Sequence, residues 1–461
     1  MEYNKTFICE FSDFLDRIQY HLLLTMILGE EVYYKDPLPS YGLVKKEIMK
    51  VDIDKQKILS FLLLGEPIKR KYLDSQLSSE CIEYFYATEI LNQDEEDYWL
   101  NNFVLTSYMN CYFFVSTPFF YPTCKNKMPC PYIGRDTFWL TRAIVNRVHG
   151  RVLDLCTGSG IQAIISAKVA SEVYAVDIDE KVLEIARLNS FLNRVNDKIT
   201  FLHGDLYKPV KDKGQFDFIL SNPPFIPIPN EVNYPVSGDG GEDGLTVVRK
   251  IYLGYNNFLF ENGQGFMIGQ AIGTEESIFM FDEMVTLFPK HNIDLYIFES
   301  LPLSIQANNF ANLSNHLQLN DASVSETQWE TVNQRLGATT YHSFFLVVSL
   351  ANESPIQKVH FIENQWSKLD IPNLDLFEVK ELSKNYLIKS SCGQAIIDEE
   401  TYIFIQEIDG KSNIEEIIKR LPLKIKLKYG KHSSDYLYSK YKQTLEKLER
   451  AKILKKQLRL K

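Results

Sequence analysis

Cysteine is scarce and irregular in this chain of 461 residues: seven thiols, at 9, 81, 111, 124, 130, 156 and 392, fall at no repeating interval. An odd number without spacing argues against a disulfide framework and reads as reduced thiols in a reducing compartment, the cytoplasm. Cys124 and Cys130 lack the close paired spacing of a tetrahedral zinc site, so no metal is expected. The opening residues, MEYNKTFICEFSDF, lack a basic segment followed by an apolar run, and no signal peptide is expected. Repeats of solenoid type are missing as well. Basic charge is in deficit, since 50 Lys and Arg face 60 Asp and Glu, a net −10 that argues against a surface coating nucleic acid at large. Phe103 to Pro122 lacks any charge over a length that could cross a bilayer. Its Ser, Thr, Asn and aromatic residues, broken by Pro118 and Pro122, suit aromatic β-strands better, and no membrane span is expected.

What is present is ordinary material for a soluble fold of several domains, 45% hydrophobic and 24% charged. Charge is unevenly spread. From Lys419 to Lys461 there are 15 Lys and Arg against 3 Asp and Glu, a local +12. Such a tail can meet nucleic acid, another acidic partner, or the acidic remainder of the same chain.

Residues 1–122 are expected to be a helical, winged-helix-like module. Its first helix would start at Ser12 as N-cap, breaks fall at Gly65-Glu66-Pro67 and near Ser78, and Asn102–Thr117 would form its β-ribbon. Between 130 and 352 the pattern alternates: VLDL, EVYAVDI, ITFLHGD, FDFILSN, GFMIGQA, DLYIFES and SFFLVVSL read as strands, with amphipathic helices between most of them. That alternation predicts an α/β, Rossmann-like, doubly wound and mainly parallel sheet of seven strands. Asp136 is expected to cap the helix preceding the first of them, and residues 304–340 read as a polar insertion before the last. A third module at 370–461 combines strands FEVKEL and YLIKSS with helices, one started by Ser412 and Glu415. It resembles the small winged helix of PqqD-like peptide-recognition domains, and a general interaction module fits equally.

Four strands end in polar or glycine-rich tips, and in an open α/β sheet such tips meet at the ligand crevice. Gly158 and Gly160 open a helix where backbone can approach a ligand, and Asp177 follows about twenty residues on, as a ribose-binding acid should. These features fit a nicotinamide dinucleotide as well as another nucleoside. The fourth tip separates the two. Asn222-Pro223-Pro224-Phe225 sets an amide side chain and a carbonyl on a stiff turn beside an aromatic ring. Acceptors there can hold an NH2 group while the ring covers a planar amide or base, a clamp that hydride transfer does not require.

With VLDLCTGSG, AVDID, ARLNSFLNRV, GDL, FDFILSNPPF and GGEDGLTVVRKI in this order, residues 132–300 resemble the class I S-adenosylmethionine-dependent methyltransferases of the HemK type, the glutamine N5-methyltransferases. The resemblance implies S-adenosyl-L-methionine as cofactor and methyl transfer to nitrogen. By it, Asp154 and the segment Cys156, Thr157, Gly158, Ser159 and Gly160 hold the methionine end, and Asp177 with Ile178 the ribose. Asp205 and Leu206 meet the adenine, and Asn222, Pro223, Pro224 and Phe225 orient the acceptor; many relatives carry Tyr where Phe225 stands. Asp239, Glu242 and Asp243 either face substrate or form a solvated loop, while His203 and Cys156 read as packing residues. The flanking modules favour a protein or peptide acceptor. An exocyclic amine of a nucleic-acid base stays open, as does a cofactor-binding scaffold without catalysis.

Overall fold

The computed structural model describes residues 3–28, 41–118, 121–124, 131–145, 147–317, 320, 323–351, 354–361, 378–382, 385–389, 394–408 and 414–422, with single positions up to 445. The chain begins with helices α1 (Lys5–Arg17), α2 (Tyr20–Leu28), α3 (Tyr41–Ile48) and α4 (Ile53–Leu64). Asn4, not Ser12, starts α1, accepting from the amide of Thr6. Ser12 lies inside the helix, buried, and donates to Leu192 O at 2.8 Å. Its hydroxyl serves a tertiary contact, which sequence periodicity could not distinguish from a cap.

After α4, which Asp52 caps and left-handed Gly65 closes, come β1 (Ile68–Lys69), α5 (Arg70–Leu73), α6 (Ser79–Ala87), β2 (Leu91–Gln93) and β3 (Asp97–Leu100). These three strands form an antiparallel sheet in the order β1-β3-β2. The uncharged aromatic run is a separate hairpin, β4 (Phe103–Tyr108) and β5 (Cys111–Ser116). Met109 and Asn110 both have positive φ in its two-residue turn, the geometry that follows the twist of paired strands. The β-ribbon expected at 102–117 is therefore present, but the ribbon of the small three-stranded sheet lies earlier, at 91–100.

The central unit runs α7 (Arg135–Ile144), β6 (Arg151–Leu155), α8 (Ile161–Ala167), β7 (Glu172–Asp177), α9 (Glu180–Leu192), β8 (Ile199–His203), β9 (Phe216–Ser221), α10 (Thr246–Phe258) and β10 (Leu259–Gly273). It continues through α11 (Phe279–Leu287), β11 (His291–Pro302), α12 (Leu303–Leu317), α13 (Glu326–Leu336), β12 (Thr340–Leu350) and β13 (Gln357–Phe361). Among the described residues the sheet has eight strands, not seven, in the order β13-β11-β12-β10-β9-β6-β7-β8. Only β12 runs against its neighbours, so the sheet is mainly parallel. The unforeseen strand β13 pairs with β11 at the sheet edge and buries none of its residues fully, which leaves little apolar alternation to read. The polar insertion before β12 proves to be two helices, α12 and α13, packed together.

β6 and β9 are buried nearly end to end by Val, Leu, Ile and Phe, as strands of a sheet covered on both faces demand, and β7 buries Val173, Ala175 and Val176. The apolar cluster on one face is continuous with the N-terminal helices and hairpin, from Ile8 and Phe14 through Val104 and Phe114 to Ile164, Leu188 and Phe266. A third set of elements, β14 (Glu378–Leu382), β15 (Asn385–Lys389), β16 (Gln394–Asp398), α14 (Glu399–Gln406) and α15 (Ile414–Arg420), forms a three-stranded antiparallel sheet followed by helices. Ser412 and most of the basic stretch after Lys419 lie outside the described residues. Among the described residues no helix is long and apolar enough to cross a membrane.

Candidate functional site

Register brings the four tips together. β9, β6, β7 and β8 are consecutive and parallel, with Leu155 opposite Ser221 and Val176, and Asp177 opposite His203. The segment Cys156–Gly160, Asp177-Ile178, Gly204–Leu206 and Asn222–Phe225 thus share one edge of the sheet.

The first tip is held by its own polar atoms. Asp154 is buried and accepts from Thr157 Oγ1 at 2.5 Å and from the amide of Ala163 at 3.1 Å. It fastens the turn from below. Burial pushes its carboxyl up to about 7, against the pull of those two donors. Cys156 takes a positive φ of 60°, uncommon for a residue with a side chain. Its thiol is pushed far above the ordinary range by burial, with Asp177, Asp154 and Asp205 adding to the rise. A thiol so held is no nucleophile at neutral pH. Gly158 (φ 54°) faces open space, whereas a Cβ on Gly160 (φ 81°) would lie 3.1 Å from Ala186 Cβ. One glycine leaves room over the turn and the other lets the turn pack on α9.

Asp177 straps the turn to the second tip, accepting from Gly158 N at 2.9 Å through Oδ2 and from Asp179 N at 3.1 Å through Oδ1. Burial raises its carboxyl, and those amides oppose the rise. Each oxygen keeps a lone pair for a ligand hydroxyl. Ile178 beside it is 57% exposed, an apolar side chain without apolar cover. Asp205 is paired with Lys208 at 2.8 Å, which lowers its carboxyl and keeps it ionised, and Leu206 bends the chain at φ 50°. His203 hydrogen-bonds the carbonyl of Ile178 at 3.0 Å and helps hold the two tips together.

At the fourth tip Asn222 donates Nδ2 to the Asp136 carboxylate and to Thr137 Oγ1 at 3.4 Å. Asp136 sits in the first turn of α7, whose N-cap is Gly134. Burial raises its carboxyl, with Asn222 pulling the other way. A cap was expected of Asp136; the bond to the motif was not. A Cβ on Gly134 would stand 2.2 Å from Asp136 Oδ1, so the glycine clears the carboxylate's position. Phe225 is half-buried, its ring within 3.4 Å of where a Gly269 Cβ would be.

The acidic stretch behind the motif is occupied in holding itself. Asp239 accepts from Gly241 N at 2.9 Å, Asp243 from Leu245 N at 3.0 Å while pairing with Arg249 at 2.6 Å, and Glu242 pairs with Arg335 at 2.6 Å. Helix α13 and the segment between α12 and α13 hold the loop that leads from the motif to this stretch. Trp329 Nε1 donates to Pro227 O at 2.7 Å, and Asn320 and Asn233 bond each other at 2.8 Å. Neither contact could be read from sequence, because Asp136 meets the motif from 86 residues away and Trp329 meets the loop behind it from 102.

The residues suit a nucleoside: an open glycine turn, a two-oxygen acceptor at Asp177, and the uncovered Ile178. Among the described residues no group of three or more His, Cys, Asp or Glu stands ready for a metal. Residues 135–236 match the model of the methyltransferase small domain. A release factor glutamine methyltransferase of Thermodesulfovibrio yellowstonii is 37% identical over 28% of this chain and 50% of its own length. A ribosomal protein uL3 glutamine methyltransferase of Bradyrhizobium diazoefficiens is 40% identical over 22% of this chain and 34% of its own. The chain thus spans about half the length of the first relative and a third of the second. Among solved structures, the ribosomal protein L11 methylase of Lactobacillus delbrueckii subsp. bulgaricus aligns at 16% identity and a TM-score of 0.28, over 48% of this chain and 81% of that one.

Proposed function

From a chain that carries a class I methyltransferase domain of the HemK type, we propose an S-adenosylmethionine-dependent N-methyltransferase whose acceptor is a side-chain amide of a protein or peptide. One observation carries the reading: the nitrogen of Asn222 is committed to Asp136, which leaves Oδ1 as the atom offered to an acceptor. Ionised Asp136 only accepts, so against it the amide cannot turn round without setting two acceptors face to face. Oδ1 and the Pro223 carbonyl then take the hydrogens of an NH2 group, and Phe225 covers its plane. The cofactor, when bound, supplies a methyl group activated by a sulfonium. Cys156–Gly160 and Asp177 hold it, and what the protein adds at the reacting pair is position and exclusion of water.

Glutamine is the favoured acceptor, because the relatives to which this chain is similar are named for it. The order α4-β1-α5-α6-β2-β3 supports a winged-helix reading of the N-terminal module, and the sheet-then-helices order of 378–420 a second, PqqD-like one. In the first of these, α6 would be the helix offered to a partner. It carries exposed Glu80 and Glu83, which would repel phosphate, and so favours protein over nucleic acid. Incubation with S-adenosylmethionine and whole-cell extract, followed by mass spectrometry of separate protease and nuclease digests, tests the proposal. One added methyl on glutamine side chains supports it, and methylation confined to nucleic acid refutes it.

A further inference from the structure

Helix α9 faces the cofactor turn on one side and the N-terminal hairpin on the other, and a single buried side chain spans the two. Asn189, with no exposed surface, accepts from the amide of Phe114 at 2.8 Å. Its Nδ2 donates to Phe114 O at 3.1 Å and to Ser159 O, in the glycine turn, at 3.0 Å. One helical turn on, Asn193 repeats only the first half of this pattern. It accepts from Tyr112 N at 2.8 Å and donates to Tyr112 O at 2.7 Å, while its remaining bond, at 2.8 Å, stays inside the helix at Asn189 O.

The spacing explains how two carboxamides can act as a strand. Four helical residues advance about 6 Å and two strand residues about 6.6 Å. Asn189 and Asn193 therefore meet alternate residues of β5 and satisfy the hairpin edge that β4 leaves open. Both N–H bonds of Asn189 are spent, one on each side. The turn has no slack to absorb a shift, since Gly160 packs directly on Ala186 of the same helix.

We propose that Asn189 is a positioning residue that couples cofactor affinity to the seating of the N-terminal module, so that a partner bound by that module is sensed at the cofactor turn. The inference rests on reading Cys156–Gly160 as the cofactor site. Coupling of this kind is reciprocal: what the hairpin does to the cofactor, the cofactor does to the hairpin.

Hydrogen exchange on the unaltered chain reads the second direction. S-adenosylhomocysteine should slow exchange at the Phe114 amide several-fold more than at the Tyr112 amide, because only the former shares its carboxamide with the turn. Calorimetry reads the first. N189D keeps the acceptor for Phe114 but loses both donations, and should weaken S-adenosylhomocysteine binding on the order of tenfold, the scale of a lost buried hydrogen bond. N193D makes the same change without touching the turn and should stay within about twofold of the native affinity. Equal protection of the two amides, or equal affinities for the two variants, would overturn the coupling. A native chain that does not bind S-adenosylhomocysteine would instead overturn the cofactor reading beneath it, and the coupling with it.

Discussion

Asn222 at the end of β9 donates its side-chain nitrogen to Asp136, 86 residues earlier at the start of α7. This bond gives the clamp its polarity. Replacing Asp136 by Asn lets the partner amide present either end, so Asn222 is no longer fixed. D136N should lower kcat on the order of a hundredfold, the cost of a misplaced reacting group, with affinity for S-adenosylhomocysteine unchanged. Stopped-assay kinetics beside calorimetry check this, and an unaltered kcat would remove Asp136 from the site.

The two glycines of the turn should fail differently. G160A drives a methyl against Ala186 at a positive φ, so it should lose about 1–2 kcal/mol of stability together with cofactor binding. G158A has space around its Cβ and bears the backbone strain alone, but its methyl stands over the turn where a ligand approaches. Its binding loss should exceed its stability loss. Denaturant titration of both variants, paired with calorimetry, separates the effects.

Asp154 predicts a pH signature. Burial pushes its carboxyl up to about 7, well above the ordinary aspartate range, so the folded chain holds the proton more tightly than the unfolded one. That contribution is complete below the unfolded pKa and is lost as pH rises through about 7. Melting temperature should therefore fall between about pH 4 and pH 7 more steeply in the native chain than in D154N, and the two should run parallel above that. Parallel slopes in the two would show that Asp154 does not titrate there.

Trp329 ties the inserted helices to the loop behind the motif. W329F keeps the ring but leaves Pro227 O without its donor, which should cost about 1 kcal/mol of stability. The loop shift should raise KM for the acceptor and leave cofactor affinity intact. A change in cofactor affinity instead would mean that α13 supports the other half of the crevice.

The meeting of the four tips that make up the candidate site was legible because each tip is local. The glycine turn, Asp177, Asp205 and the Asn222–Phe225 tip are each a strand end followed by a fixed chemistry, and parallel pairing brings such ends together without further information. What joins them was not legible. Asp136 looks like an ordinary helix start, Asn189 like one polar residue in an amphipathic helix, and Trp329 like an aromatic in a polar insertion. A buried Asn followed four residues later by another was the one available signal, since polar groups on an apolar stripe must find partners. The strands β1–β3 and β13 escaped because two to five residues carry too little pattern, and Ser12 misled because a buried hydroxyl inside a helix resembles a cap.

Transfer of a labelled methyl from S-adenosylmethionine into cell extract, with native chain and N222A side by side, tests the central claim most directly. The clamp predicts label in a fraction that protease destroys and nuclease does not, absent with N222A although that variant binds S-adenosylhomocysteine as the native chain does. Equal labelling by N222A, or label that nuclease alone removes, would contradict it.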